Sequence, residues 1–256
     1  YLDSFENEIA VEPVFDGDGE RLQVSVHMRG REVFAQVWLA KIGRISLYLL
    51  DTNVAGNQDV DRYVTGHLYG GDTETRIVQE KILGLGGVRL LRKLGIEPSV
   101  YHLNEGHSAF LTLELVREYI AANPGAGFAD ALAVTRPQCA FTTHTPVAAG
   151  NDLFAADLLV SCFKEDYPQS LGMSKEEFLA LGRVDPTDSS EGFGMTPLAL
   201  RMCRSANGVS EKHGEVSREL WLEMFPGRKA EDVPIAFVTN GVHAPTWIAP
   251  TFKDLY

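Results

Sequence analysis

"PSVYHLNEGHSAFLTLELV", residues 98–116, changes its period halfway along. Up to Asn104 it reads as a short strand, with Tyr101 and Leu103 on one face and His102 on the other. From about 108 to 121 the apolar residues recur at helical spacing. Glu105, Gly106 and His107 fill the turn between them. A strand that passes through a short polar turn into a helix is the repeating unit of a parallel sheet.

The unit recurs along the chain. "QCAFTTH" reads as a strand followed by a helix over about 151–162, and "PIAFVTN" as a last strand. Residues 73–94 read as one long helix or a bent pair. Before residue 51 the pattern is different. Leu22, Val24, Val26 and Met28 alternate with polar residues, Arg29-Gly30-Arg31 supplies a turn, and Val33, Ala35 and Val37 resume the alternation. "ISLYLLDTN", 45–53, reads as a buried strand ending at Asp51. Between the later strands lies a helical excursion. Ser174-Lys175-Glu176-Glu177 forms a capping box, "DPTDSSEGFG" (185–194) is a loop, and 195–205 and 209–222 read as two helices parted by Asn207-Gly208. The expected fold is therefore α/β from about residue 40, a three-layer parallel sheet covered on both faces. A β-rich segment over 1–50 flanks an α/β domain over 51–256.

Composition narrows the function. The chain has 256 residues with 45% hydrophobic and 23% charged, an ordinary globular balance. Its formal net charge of −12, with no block of Lys or Arg, disfavours nucleic acid as a partner. Cys139, Cys162 and Cys203 are odd in number and far apart, which fits a reducing, cytoplasmic setting better than a disulfide framework. Apolar runs such as 45–50 are too short to span a bilayer, so no membrane is expected. The chain opens at Tyr1 inside what reads as structure, which suggests a piece of a longer polypeptide.

The polar residues of interest sit at strand ends. Asp51, Asn104 with His107, Thr143 with His144, and Asn240 each fall at or just past the end of an expected strand. In an open parallel sheet those ends line one edge, where ligands bind. Any one of them also suits a turn or a helix cap, so their convergence carries the signal rather than any single position. No metal site is expected: His102 and His107 are five apart across a strand-to-loop transition and no Cys is near. His102 reads as a packing histidine. No Gly-x-Ser-x-Gly elbow occurs, and Cys139 lies inside an apolar strand. Gly84-Leu85-Gly86-Gly87-Val88-Arg89 lacks the third glycine of a dinucleotide fingerprint and follows a helix, so its glycines are expected to allow close helix packing. What remains is a crevice of Asn, Asp, Glu, His and Thr, with Tyr69 and Trp247 available, whose paired donors and acceptors suit neutral polyols. A glycosidase-like carboxylate pair drawn from Asp72, Glu105 and Asp152 stays open.

Five ordered segments resemble the α-glucan phosphorylases, the glycogen, starch and maltodextrin phosphorylase family, and the wording is nearest the shorter bacterial and archaeal branch. They are "LYGGDTETRIVQEKILGLGGVRLL", "VYHLNEGHSAFLTLELVR", "FTTHTPVAAGNDLF", "SANGVSEKHGEVSREL" and "VTNGVHAPTWIAP". Glu105, Ser108 and Thr143 depart from the family's Asp, Pro and Asn. The resemblance implies that Asn104, Glu105 and His107 shape a glucosyl pocket. It implies that His144 contacts the glucosyl unit at the cleavage point, and that Asp72 and Arg76 belong to the gate loop and its helix. Asp152 matches an acidic residue near the sugar through a differing loop.

The implied fold is one Rossmann-like half of a two-domain glycosyltransferase (GT-B type) arrangement, this chain being the later part of the N-terminal half. The implied activity is phosphorolysis of terminal α-1,4-linked glucosyl units by orthophosphate, giving glucose 1-phosphate. The partners are then the glucan, orthophosphate and the C-terminal half of the same polypeptide; a homo-oligomer stays open. Pyridoxal phosphate is expected in the missing C-terminal half and not in this chain, where Lys41, Lys81 and Lys93 read as solvated surface charge. Two rival readings are a nucleotide-sugar-dependent glycogen or starch synthase and a non-catalytic glucan-binding module.

Overall fold

The computed structural model describes residues 10–67, 71–249 and 251–252; Tyr69 lies outside them. It is a mixed α/β structure containing one antiparallel and one parallel four-stranded sheet. In the first, β1 (Val11–Pro13) and β2 (Gln23–Met28) pair with successive stretches of β3 (Arg31–Ile42), and β4 (Ile45–Asp51) pairs with its other edge. The β2–β3 turn places Arg29 at φ 44° and Gly30 at φ 76°, the doubly left-handed geometry whose twist matches a tight hairpin. Val24, Val26 and Met28 face the core together with Val33, Ala35 and Val37, as the alternation requires.

β4 corrects the sequence reading. It is an exposed edge strand, not a buried one: Ile45 is 57% and Leu47 42% exposed. Because β4 is antiparallel to β3, Asp51 ends in the wrong sheet for the expected crevice. It accepts from Gln36 Nε2 at 2.8 Å and Trp38 Nε1 at 3.2 Å instead.

The chain then enters α1 (Thr73–Lys81), a π-helical turn (Ile82–Gly86) and α2 (Gly87–Lys93). The expected long helix is present but wound wide in its middle. A Cβ on Gly84 would stand 2.7 Å from Leu111 N and 2.9 Å from Phe110 Cβ, so only glycine lets this turn meet the next helix. Gly87 has open space around it and plays no such part.

The parallel sheet has the order β10 (Ile235–Phe237), β9 (Ser205–Gly208), β6 (Cys139–Thr142), β5 (Tyr101–Asn104). Register sets Asn104 beside Thr142 and Thr142 beside Asn207, three polar residues in a row at the C-terminal ends. β9 is the strand of this sheet that sequence reading missed. "SANG" contains a single apolar side chain, Ala206, and looks like a helix break. It works as an inner strand because small residues suffice between two paired neighbours. At its end a Cβ on Gly208 would meet His213 Nδ1 at 2.8 Å.

Helix α3 (Phe110–Ala122) follows β5 and packs against α4 (Phe128–Thr135). After β6 the chain runs through a loop to β7 (Leu153–Phe154), α5 (Ala156–Ser161) and α6 (Lys175–Ala180), then β8 (Phe193–Gly194), which pairs antiparallel with β7. The Ser174 capping box stands as expected, with Glu177 N donating to Ser174 Oγ at 3.2 Å and Ser174 N to Glu177 Oε2 at 2.7 Å. α7 (Met195–Met202) and α8 (Glu211–Leu220) bracket β9. Phe110, Phe163, Phe178 and Phe193 meet at ring separations of 5.4–6.2 Å and lock this excursion to α3.

Buried residues of both sheets form one continuous core. Lys81 lies inside it and is not the surface charge expected from sequence: it is 1% exposed, its Nζ donates to the carbonyls of His27 and Cys162, and it sits 3.9 Å over the Phe163 ring. Among the described residues no helix is long and apolar enough to cross a membrane.

Candidate functional site

β5 and β6 end side by side, and their turns interlock. After Asn104 the chain enters Glu105 at φ 71°, ψ 168°, a region that costs a side-chain-bearing residue about 1–3 kcal/mol. The carboxylate holds it there. Glu105 Oε1 accepts from Gly106 N at 2.9 Å, and Oε2 accepts from His144 N at 2.7 Å and from Thr145 Oγ1 at 2.9 Å. Hydrogen bonds to a charged acceptor contribute about 1.5–3 kcal/mol each, enough to offset the strain. Glu105 N also donates to Thr142 O at 2.8 Å, continuing the ladder by one rung. Backbone strain over-determined by bonds to a neighbouring turn is a feature that clusters at functional sites in proteins generally.

On that platform His144 Nε2 stands 2.7 Å from Asn104 Oδ1. The amide oxygen can only accept, so the imidazole proton sits on Nε2. Both side chains are exposed at the sheet edge. A second row runs beneath: His102 Nε2 lies 2.8 Å from Thr142 Oγ1, which reaches Asn207 Oδ1 at 3.0 Å. His102 is therefore exposed and hydrogen-bonded, not a core packing residue. Beside them Thr143 is 1% exposed and its hydroxyl has no partner among the described residues.

His107 belongs to a separate cluster. Its Nδ1 is 3.1 Å from Asp152 Oδ2 and 3.7 Å from Glu80 Oε1. Arg76 Nη2 donates to the same Asp152 oxygen at 2.8 Å and to Glu80 Oε1 at 3.4 Å. The hydrogen bond to Asp152, and next that to Glu80, raise the His107 pKa to about 9. Burial works against the Asp152 carboxylate, but bonds from His107, Glu80 and Arg76 hold it down at about 2. Glu80, 1% exposed, is pushed up to about 8, chiefly by burial. The cluster also closes the polar end of an apolar groove of about 690 Å³ that runs past Leu47, Leu50 and Leu83.

Glu80, His107 and Asp152 could each turn one donor atom toward a metal. The Arg76 guanidinium already stands among those atoms, so the arrangement is that of a paired cation rather than a cation site. Among the described residues the one lysine buried in the core, Lys81, has its Nζ engaged by the main-chain carbonyls of His27 and Cys162.

Of the residues expected from sequence, Asn104, Glu105 and His144 share one network, and His107, Asp152 and Arg76 share the other. Asp72 joins neither through a described contact. Its Oδ1 caps α1, accepting from Thr75 N at 2.8 Å, and that bond lowers its pKa. Asn240 lies in the loop after β10 and donates its N–H to Val209 O, while Trp247 is 78% exposed. Glu80 and Asn207 were missed. Glu80 four residues after Arg76 was a readable ion-pair spacing; Asn207 had no signal once its strand went unseen.

A parallel sheet with polar strand ends places the chain among the α/β proteins, a class whose ligands generally sit at the carboxyl edge of the sheet. Comparison of the sequence with known proteins makes this particular. No family model matches the chain. It is 39% identical over 251 residues to maltodextrin phosphorylase of Thermococcus litoralis, 42% over 251 residues to glycogen phosphorylase of Mycobacterium tuberculosis, and 36% over 249 residues to glycogen phosphorylase of Aquifex aeolicus. These matches take in 97%, 94% and 96% of this chain, but 29%, 29% and 34% of the relatives' own lengths. The resemblance to the α-glucan phosphorylases thus holds across nearly the whole chain, which spans about a third or less of those proteins.

Proposed function

We propose that this chain is the glucosyl-recognition part of an α-1,4-glucan phosphorylase, a hexosyltransferase that releases terminal glucosyl units to orthophosphate as glucose 1-phosphate. The observation that carries this reading is the interlock of two turns, 104–107 and 143–145, at one sheet edge. It exposes an amide and an imidazole where a sugar hydroxyl would need a donor and an acceptor. In this reading residues 1–50 flank a sugar-binding domain over 51–256. Its parallel sheet is the Rossmann-like, three-layer half of a GT-B type pair.

His144 is the catalytic residue of this half, oriented by Asn104 and held at its main-chain N–H by Glu105. The transition state is oxocarbenium-like, so a carbonyl dipole at 144 directed to the anomeric carbon favours the charge that develops there. Asn104, Glu105, His107, Asp152 and Asp72 serve the glucan, and Arg76 supports the gate-loop helix. In this reading pyridoxal phosphate would be held by the C-terminal half of the parent polypeptide and would supply there a phosphate group able to assist proton transfer. Incubating the parent protein with maltoheptaose and orthophosphate should yield glucose 1-phosphate, while a nucleotide sugar should yield no chain extension. The isolated chain should do neither and should bind no pyridoxal phosphate.

A further inference from the structure

Glu80 is the one member of the Arg76–His107–Asp152 cluster that neither the motifs nor the proposed function assigns. It sits on α1, 1% exposed, and its Oε2 has no hydrogen-bond partner among the described residues. The charged and titratable groups facing its carboxyl are Arg76 from its own helix, His107 from the β5 turn and Asp152 from the loop before β7. Lys81 follows in sequence but turns the other way, toward His27 and Cys162.

One atom, His107 Nδ1, has two carboxylate neighbours, Asp152 at 3.1 Å and Glu80 at 3.7 Å. Two carboxylates that share a site do not both ionise readily, and the more buried one keeps its proton. Asp152 is the more exposed of the two and the nearer to both cations, so Glu80 is the one that stays neutral. A neutral Glu80 leaves Asp152 the ionised one of the two carboxylates beside the His107 imidazolium. An ionised Glu80 competes for Nδ1–H and for Arg76 Nη2, and so draws the imidazole off Asp152.

We propose that Glu80 is a positioning residue: by remaining protonated behind His107 and Arg76, it commits the His107 imidazolium to Asp152 and fixes the ring at the site. This rests on the reading of the cluster as part of a glucosyl pocket. The consequence is a site that loosens in alkali in two steps, at Glu80 first and at His107 next.

The test has two readouts on the parent protein. In ¹³C-glutamate-labelled enzyme one side-chain carboxyl should titrate near pH 8, and that signal should vanish in Glu80→Gln. In phosphorolysis of maltoheptaose, the alkaline limb of log kcat/KM should fall with the loss of two protons in the wild type and of one in Glu80→Gln. At pH 7 the neutral isostere in Glu80→Gln should rescue most of the KM defect of Glu80→Ala. Glu80→Ala, with no group left behind His107, should raise KM roughly five- to tenfold with little change in kcat. A Glu80 carboxyl that titrates in the ordinary range, or a Glu80→Gln profile of unchanged steepness, overturns the proposal. An enzyme without phosphorolysis whose carboxyl still titrates near 8 would instead sink the functional reading and leave the protonated Glu80 standing.

Discussion

Glu105 Oε2 accepts the main-chain N–H of His144 at 2.7 Å, so a residue in a strained conformation at the end of one strand fixes the histidine beyond the next. The first prediction follows from weighing the strain against the bonds. Glu105→Ala keeps the unfavourable φ and loses all three carboxylate bonds, which should cost about 2–4 kcal/mol. Glu105→Gly loses the same bonds but relieves the strain, so it should be the more stable of the two. Denaturant midpoints for both variants check the order. Equal midpoints would mean that φ 71° is not strained in this setting.

The second prediction concerns pH. His107 is raised from its ordinary 6.5 to about 9, so its stabilisation is full below about 6.5 and is lost as pH climbs through 9. Glu80 is raised from 4.5 to about 8, and burying its charge costs stability over that interval in the same direction. Asp152 is lowered from 3.8 to about 2, so its contribution is present above 3.8 and lost as pH falls through 2. The melting temperature should therefore fall between pH 6 and 10, and His107→Ala should flatten that fall. A wild-type curve as flat as the variant's would show that the cluster is not coupled to folding.

The third prediction tests the wide turn. Gly84→Ala forces a methyl group against Leu111 N and Phe110 Cβ, an overpacking that should cost about 1–3 kcal/mol. Gly87→Ala, three residues on, meets nothing within 4 Å at a helical φ of −59° and should be neutral or stabilising by up to about 1 kcal/mol. Thermal melts of the pair separate close packing from helix propensity. Gly84→Ala melting like Gly87→Ala would remove the packing explanation of the π-helical turn.

These sites mark how far sequence reached. Tyr101–Asn104 and Cys139–Thr142 were legible because apolar residues and turn signals bound them, and the residues at their ends were legible for the same reason. β9 was not, since Ser205, Ala206, Asn207 and Gly208 have little strand propensity and owe their conformation to pairing on both sides. β4 misled in the opposite sense. Its apolar run looks buried, yet among the described residues it pairs with β3 alone, which leaves it at an edge and carries Asp51 away from the crevice. Lys81 misled because a lysine is read as solvated unless carbonyls are known to surround it. Local pattern found the turns; which turns meet was decided by partners far away in the chain.

The last prediction separates two histidines on neighbouring rows of the same sheet edge. His144 is exposed, its proton is fixed on Nε2 by Asn104, and its main-chain N–H is held by Glu105. His102 is also exposed but is bonded to Thr142, which leads back into the sheet through Asn207. If His144 touches the glucosyl unit, His144→Ala in the parent enzyme should lower turnover by about 10²- to 10³-fold, the loss of one preorganised hydrogen bond to a developing charge. Activity should not vanish, because the main chain at 144 keeps its bond to Glu105. His102→Ala removes one partly exposed neutral bond, so it should lower stability by about 0.5–1.5 kcal/mol and leave turnover nearly unchanged. Turnover and melting temperature measured on both variants decide the matter. Equal losses of turnover would place the chemistry on the inner row, and an unaffected His144→Ala would take His144 out of the site.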